Sequence, residues 1–279
     1  MPSAGYDPTA RWGNGWASIC ARMVIALVAL RHRPRVLTVS AGPGAGLRLF
    51  LDTERGGRWA QETAAGQFDP WLSEIAASLR PRVAWDVGAH VGYHASILAA
   101  MGTGQVEAFE PNPANLRRLR RHLGLNPALA PRIRPRAFAL ADRNGAETFL
   151  FHRDVDGRRS SVGRLEGGAR LYSDAHDLGF SRRRVRCCTG DALVFREGWP
   201  APELIKLDVE GGKLRVLAGI RNVLAVHRPV LLIEFHGADW RHRAAGVLEA
   251  AGYRLHLLAE ASGSIPRAFV HAQPTDRRP

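Results

Sequence analysis

Two short stretches of the chain carry acids, an imidazole and a lysine at spacings suited to proton chemistry. Lys206, Asp208 and Glu210 alternate through IKLDVEGG (205–212), and Glu234 and His236 close LLIEFH (231–236). Side chains two apart on a strand project to one face, so each set converges where its strand ends. Asp208, at a strand terminus, can approach a reacting group, and His236 can take a proton from a hydroxyl if Glu234 or Asp208 orients its imidazole. Lys206 and Glu210 are candidates for the same site. The plainer reading is a salt-bridge cluster that only shapes the strand ends, with His236 as a cap. Asp208 and Glu234 could also offer oxygens to Mg²⁺, but neither has a second acid beside it, and no metal is assigned.

A third stretch, AWDVGAHVGYHASI (84–97), runs from an apolar strand through a glycine turn into a helix. Such a turn aims several backbone N–H groups at one spot, with the helix dipole behind them. Asp86, Gly88 and Gly92 follow D-x-G-x-x-x-G, with Ala89 and His90 inside the turn, where a dinucleotide loop would need a middle glycine for close approach of a pyrophosphate. His90 would crowd a diphosphate, and no P-loop G-K-[ST] is present. A nucleoside without phosphate is the better guest, and S-adenosylmethionine (SAM) suits the turn. Glu110, in FEPNP at the end of the next strand, can accept hydrogen bonds from both ribose hydroxyls. Asp142, in ALADRNG (139–145), is placed to accept from an adenine amino group. Each acid alone could be a solvated turn residue; together they mark successive strand ends, where open α/β sheets bind ligands.

The elements that must position these residues follow from periodicity. Val83–Val87, Val106–Glu110, Ile133–Leu140, Thr148–His152, Leu204–Asp208 and Val230–Phe235 read as strands, and Tyr253–Leu258 with Ala268–His271 as a closing antiparallel pair. Helices are expected over Pro70–Leu79, Gly92–Ala100, Ala114–Leu123, Gly212–Ala218 and Trp240–Ala250. In Ala114–Leu123 the residues Leu116, Leu119 and Leu123 share a face, opposite a solvated basic face. Residues 153–183 show no clear period and read as a long loop that helps build a substrate pocket. Strands alternating with helices imply an α/β fold with a mostly parallel sheet covered on both faces.

Composition narrows the function classes. The formal net charge is +13, but Lys206 and Lys213 are the only lysines among 39 basic residues. That arginine skew, with abundant Ala, Gly and Pro, reflects a GC-rich coding sequence better than a phosphate-binding surface, so a dedicated nucleic-acid partner is disfavoured. Cys20, Cys187 and Cys188 make no C-x-x-C pair and leave an odd count, so neither a disulfide scaffold nor a zinc site follows, and a reducing cytoplasm is the natural compartment. The apolar run Met23–Leu30 falls far short of the ~20 residues of a membrane span. It reads as a helix, with weak contact to a membrane surface through its basic flanks as the lesser alternative.

With those residues in place, the chain resembles the FkbM family of SAM-dependent methyltransferases over roughly residues 47–258. DVGAHVGYH (86–94), FEPNP (109–113), ALADRNG (139–145), IKLDVEGG (205–212) and LLIEFH (231–236) carry the resemblance in order. It implies a class I, Rossmann-like methyltransferase fold with a seven-stranded sheet, SAM as cofactor, and methylation of a hydroxyl on a small molecule, natural product or sugar. One departure concerns the acceptor. The family's usual acid three places beyond the Glu–Gly of K-x-D-x-E-G is missing, and Lys213 stands in that region. The expected organisation is an N-terminal extension over 1–46, partly disordered with one helix; a methyltransferase domain over 47–271; and a flexible tail over 272–279. Rival readings are an RNA 2′-hydroxyl methyltransferase and a SAM- or metabolite-binding domain without catalysis. The [ND]-P-P-[YF] and Pro-Cys signatures of base methylation are absent.

Overall fold

A computed structural model describes residues 34–153, 163–168, 180–236, 240–261 and 267–275. The expected N-terminal helix over Met23–Leu30 and most of the irregular 153–183 stretch lie outside them. The chain begins with a hairpin of β1 (Arg35–Thr38) and β2 (Arg48–Leu51), then α1 (Gly57–Ala65) and α2 (Pro70–Leu79). A βαβ alternation follows: β3 (Val83–Val87), α3 (Tyr93–Ala100), β4 (Gln105–Phe109), α4 (Pro113–Leu125), β5 (Ile133–Arg136). A second series supplies α5 (Gly190–Phe195), β10 (Leu204–Leu207), α6 (Lys213–Gly219), α7 (Arg221–His227), β11 (Val230–His236), α8 (Trp240–Ala250), β12 (Tyr253–Ala261) and β13 (Arg267–Pro274).

These strands form one seven-stranded sheet in the order β12-β13-β11-β10-β3-β4-β5. Pairing is parallel from β11 through β5, and β13 is antiparallel to both of its neighbours. The order reverses between β3 and β10, and a crevice opens at such a switch point beyond the carboxyl ends of the strands. Both faces are covered, as expected. Trp85, Val87, Ile205, Leu207 and Ile233 pack under α6, α7 and α8. Ala84, Val106, Ala108, Leu204 and Leu232 pack under α2, α3 and α4.

Strand alternation decides which face carries charge. Asp86 sits directly opposite Lys206 in the β3–β10 register. Both residues belong to the α2–α3 face, because their neighbours Ala84 and Leu204 are in its core. Glu234 and His236 share that face with Leu232, two and four places before them.

The expected strand Ile133–Leu140 is two strands. β5 ends at Arg136, and β6 (Ala139–Leu140) joins a second sheet of order β6-β9-β7-β8. The apolar residues Ala137–Leu140 follow β5 with no turn residue between, and that gives no sign of the change of sheet. The second sheet contains β7 (Gly145–Phe151), β8 (Arg164–Leu165) and β9 (Ser181–Cys188). Part of the presumed loop is therefore sheet. β9, SRRRVRCC, escapes a hydrophobicity reading because arginines fill its exposed positions while Val185, Cys187 and Cys188 are buried. The closing strand β13 reaches Pro274, beyond the expected domain end at 271, and β1 starts before residue 47. Among the described residues no helix is long and apolar enough to cross a membrane.

Candidate functional site

A cleft of about 1000 Å³ lies over the carboxyl ends of β3, β4, β10 and β11. Trp59 of α1, Phe68 and Trp71 wall one side, and Phe149, Arg164 and Leu165 of the second sheet wall another. Gly88, Ala89, His90, Glu110, Lys206, Asp208, Glu210, Glu234 and His236 all line it.

The turn after β3 is held by the neighbouring strand ends. Gly88 adopts φ +84°, and a Cβ there would meet the Asp208 carbonyl oxygen at 1.9 Å, so only glycine lets the two strand ends touch. His90 is also left-handed, at φ +52°, a conformation histidine tolerates better than bulky residues. Its N–H donates to Glu110 Oε2 at 2.8 Å, while Glu110 Oε1 accepts from the Asn112 N–H at 2.7 Å. The carboxylate is thereby oriented, yet burial outweighs these bonds and pushes its pKa up to about 8. Burial, with the Lys206 charge next, lowers the His90 imidazole to about 3, so a neutral ring sits edge-on to Trp59 at 5.0 Å. Gly92 precedes α3 and packs against Leu119; it supports the turn from outside the cleft lining.

Buried charges make the other end. Lys206 Nζ lies 3.3 Å from Asp86 Oδ1 and 3.6 Å from Asp208 Oδ2, and donates to the Gly88 carbonyl at 3.2 Å. Asp86 is fully buried behind this lysine and does not line the cleft. Burial alone would lower the Lys206 pKa, but Asp86 and Asp208 more than offset it and hold the ammonium above the usual lysine range. Burial likewise disfavours ionised Asp208, and the charges of Lys206 and Lys213 overcome it, holding that carboxyl below the usual carboxylate range.

Lys213 Nζ donates to the Val209 carbonyl at 2.7 Å, contacts His236 Nδ1 at 2.9 Å and lies 4.0 Å from Asp208 Oδ1. His236 Nε2 faces Glu234 Oε1 at 3.3 Å and Glu210 Oε1 at 3.7 Å. Neither ring nitrogen of His236, as held, is open to an incoming hydroxyl. Glu234 also accepts from Arg267 at 3.3 Å. Glu210 differs from its neighbours: Oε2 is buried and accepts no hydrogen bond among the described residues, and burial raises its pKa. Asp208, Glu234 and His236 each offer a metal-ligating atom within 4.8 Å of the others.

Asp142 is placed elsewhere. It accepts from Arg215 Nη2 at 2.6 Å and Nε at 3.0 Å, and is absent from the cleft lining. Arg215 is 73 residues away, and its reach to Asp142 and Glu147 was invisible in the turn motif. A cleft pair also went unread: His94 Nε2 lies 3.1 Å from Asp69 Oδ2. Asp69 precedes α2, where aspartate usually caps; instead it is left-handed at φ +48° with no side-chain cap, and its carboxylate turns into the cleft. The only sequence sign was an Asp-Pro step before an apolar helix.

A hexuronic acid methyltransferase, AglP, of Haloferax volcanii is 30% identical over 158 residues, 56% of this chain and 57% of that protein. The AMB antimetabolite synthetase AmbE of Pseudomonas aeruginosa is 27% identical over 179 residues, 55% of this chain and 8% of that protein. The chain thus spans little over half of the first relative and a small part of the second. Among solved structures, methyltransferase FkbM from Methylobacillus flagellatus aligns with a TM-score of 0.46 at 18% identity, covering 67% of this chain and 42% of that one. Residues 86–255, from the buried Asp86 to β12, match the model of the methyltransferase FkbM domain, and the chain belongs to that family.

Proposed function

We propose that the chain transfers a methyl group from SAM to a hydroxyl oxygen of a small molecule or sugar. The observation that carries the donor reading is Glu110. Two backbone N–H groups hold its buried carboxylate at the β4 end, one on each oxygen. The Asn115 side chain adds a third hydrogen bond, and the acceptor capacity left on the carboxyl suits a ribose hydroxyl. Gly88 and His90 would bring the turn against the nucleoside, and Asp208 would counter the positive charge of the donor from the β10 end.

When bound, SAM supplies an electrophilic methyl carbon on a sulfonium. The chain's residues must align an acceptor oxygen with that carbon and receive its proton. Transfer would exchange the donor's C–S bond for a C–O bond on the acceptor, with S-adenosylhomocysteine as the leaving group, and the hydroxyl proton would pass to a base of the chain. Glu210 is that base in this reading. Its buried Oε2 is uncommitted among the described residues and its pKa is raised. Asp208 is a poor base beside two ammonium groups, and Lys213 already occupies the His236 lone pair. Asp69 with His94 would help orient the acceptor under α1 and α2. The likeness to a hexuronic acid methyltransferase favours sugar acceptors, uronic acids among them.

The test is calorimetry with SAM, then turnover to S-adenosylhomocysteine across neutral and acidic sugars. Glu110→Ala should weaken SAM binding about tenfold to a hundredfold, the worth of one charge-assisted hydrogen-bond set. Unchanged affinity would remove the ribose assignment. Binding without turnover on any hydroxylated acceptor would favour a non-catalytic SAM-binding role.

A further inference from the structure

The two lysines of the chain lie in one place. Everywhere else positive charge is carried by arginine, yet Lys206, in the cleft lining, and Lys213, behind it, are both buried, 6% and 8% exposed, on either side of Asp208. A guanidinium is a broad planar fork, whereas an ammonium is a compact point charge that fits between ligand atoms. Lys213 does so: it reaches a carbonyl, an imidazole nitrogen and a carboxylate at 2.7, 2.9 and 4.0 Å. Two of those partners, Asp208 and His236, belong with Glu234 to the set whose ligand atoms lie within 4.8 Å of one another. Two carboxylates and an imidazole form a donor set for a divalent transition metal.

We propose that Lys213 is the resident cation of this cluster, taking the His236 Nδ1 lone pair beside Asp208 that a divalent metal would need and holding His236 as the tautomer protonated on Nε2. A lysine ammonium can only donate, so the Nδ1 it contacts must accept, and the ring proton sits on Nε2, facing Glu234. Neither nitrogen can then bind a metal. Nδ1 has spent its lone pair on Lys213, and moving the proton to Nδ1 would set N–H against ammonium. A dication would also lie beside two fixed positive charges. Lys213 is a positioning residue: it fixes the imidazole, and through it Glu234 and Glu210, without metal. The inference holds whatever the donor and acceptor are.

The test uses the full chain and no turnover. Zn²⁺ binding is followed by calorimetry, and Co²⁺ binding by its visible bands, for the wild type, Lys213→Met and the double variant Lys213→Met, His236→Ala. Removing the ammonium frees His236 Nδ1 and one oxygen of Asp208, so Lys213→Met should bind Zn²⁺ at least about tenfold tighter than the wild type. The added His236→Ala change should cancel that gain. A wild type that binds Zn²⁺ through His236, seen as a site lost in His236→Ala, would overturn the proposal. So would a folded Lys213→Met variant with no gain. Should that variant not fold, ¹⁵N-histidine NMR of the wild type decides instead. A neutral His236 protonated on Nε2 supports the proposal, and the opposite tautomer or an imidazolium overturns it. SAM affinity, measured separately, leaves failure of the methyl-transfer reading distinguishable.

Discussion

The two ends of the cleft are built in different ways. At the β3–β4 end the chain uses backbone: a glycine pressed on a neighbouring carbonyl, and a carboxylate gripped by two N–H groups. At the β10–β11 end it uses side-chain charge: two ammonium groups among the carboxylates Asp86, Asp208, Glu210 and Glu234. Backbone contacts give a rigid surface for an invariant ligand. A charge network gives a polarised pocket whose members hold each other's protonation states, which suits proton transfer. The ends meet at Gly88, whose Cα faces the Asp208 carbonyl and whose own carbonyl accepts from Lys206.

That junction is where the comparison breaks hardest. Gly88→Ala must either strain a left-handed residue or push β10 away, and should cost more than about 4 kcal/mol in denaturant unfolding. SAM binding should fall with it. A well-folded Gly88→Ala protein would mean that the ends are not mechanically joined. Next in size is Glu210→Gln, which touches only the charged end. Loss of a general base should lower kcat by about 10²–10⁴ while SAM affinity stays within threefold. Equal loss of both would show Glu210 to be architectural. Lys206→Met leaves Asp86 and Asp208 without their shared counterion and should cost about 3 kcal/mol of stability. A loss below 1 kcal/mol, on the scale of an exposed ion pair, would show that water screens the cluster.

The smallest effect separates the two ends by pH. Glu110 has a folded pKa of about 8 against a usual 4.5, so the native state binds more protons between those values. Its contribution to stability is full below pH 4.5 and is lost as pH rises through 8. Asp208 has its folded pKa lowered below 3.8, so its contribution is present above that value and lost as pH falls. Ligand-free unfolding curves should therefore lose their slope above pH 4.5 in Glu110→Gln and part of their acid slope in Asp208→Asn. The reverse pattern would contradict the assigned environments.

Much of the backbone-built end is legible in sequence because its parts are local. Asp86, Gly88, His90 and Gly92 fall within seven residues, and Glu110 follows one βα unit later. The helices α2, α3 and α4 were readable for the same reason, and in α4 Leu116, Leu119 and Leu123 mark the apolar face. The charged end was legible only as an inventory. Lys206, Asp208, Glu210, Glu234 and His236 stood out as candidates, but which atoms touch depends on the pairing of β10 with β3 and β11. Lys213 looked like a departure at the mouth of the site and is a buried contact of His236. The Asp142–Arg215 pair and the Asp69–His94 pair each join distant segments, and no local pattern announces them. β9 hid behind arginine, and the β5–β6 break behind an apolar run with no turn residue in it.

By itself the sequence determined the alternating α/β elements, the turn that replaces a dinucleotide loop, and the residue types gathered at the strand ends. Periodicity and turn chemistry act within a few residues, so they survive without coordinates. Only the tertiary structure decided that Asp142 turns to Arg215, that His236 has both nitrogens engaged, and that the two lysines flank one aspartate. Those outcomes rest on sheet order and on distances of a few ångströms between segments far apart in the chain, where burial makes each charge seek whichever partner the fold brings near.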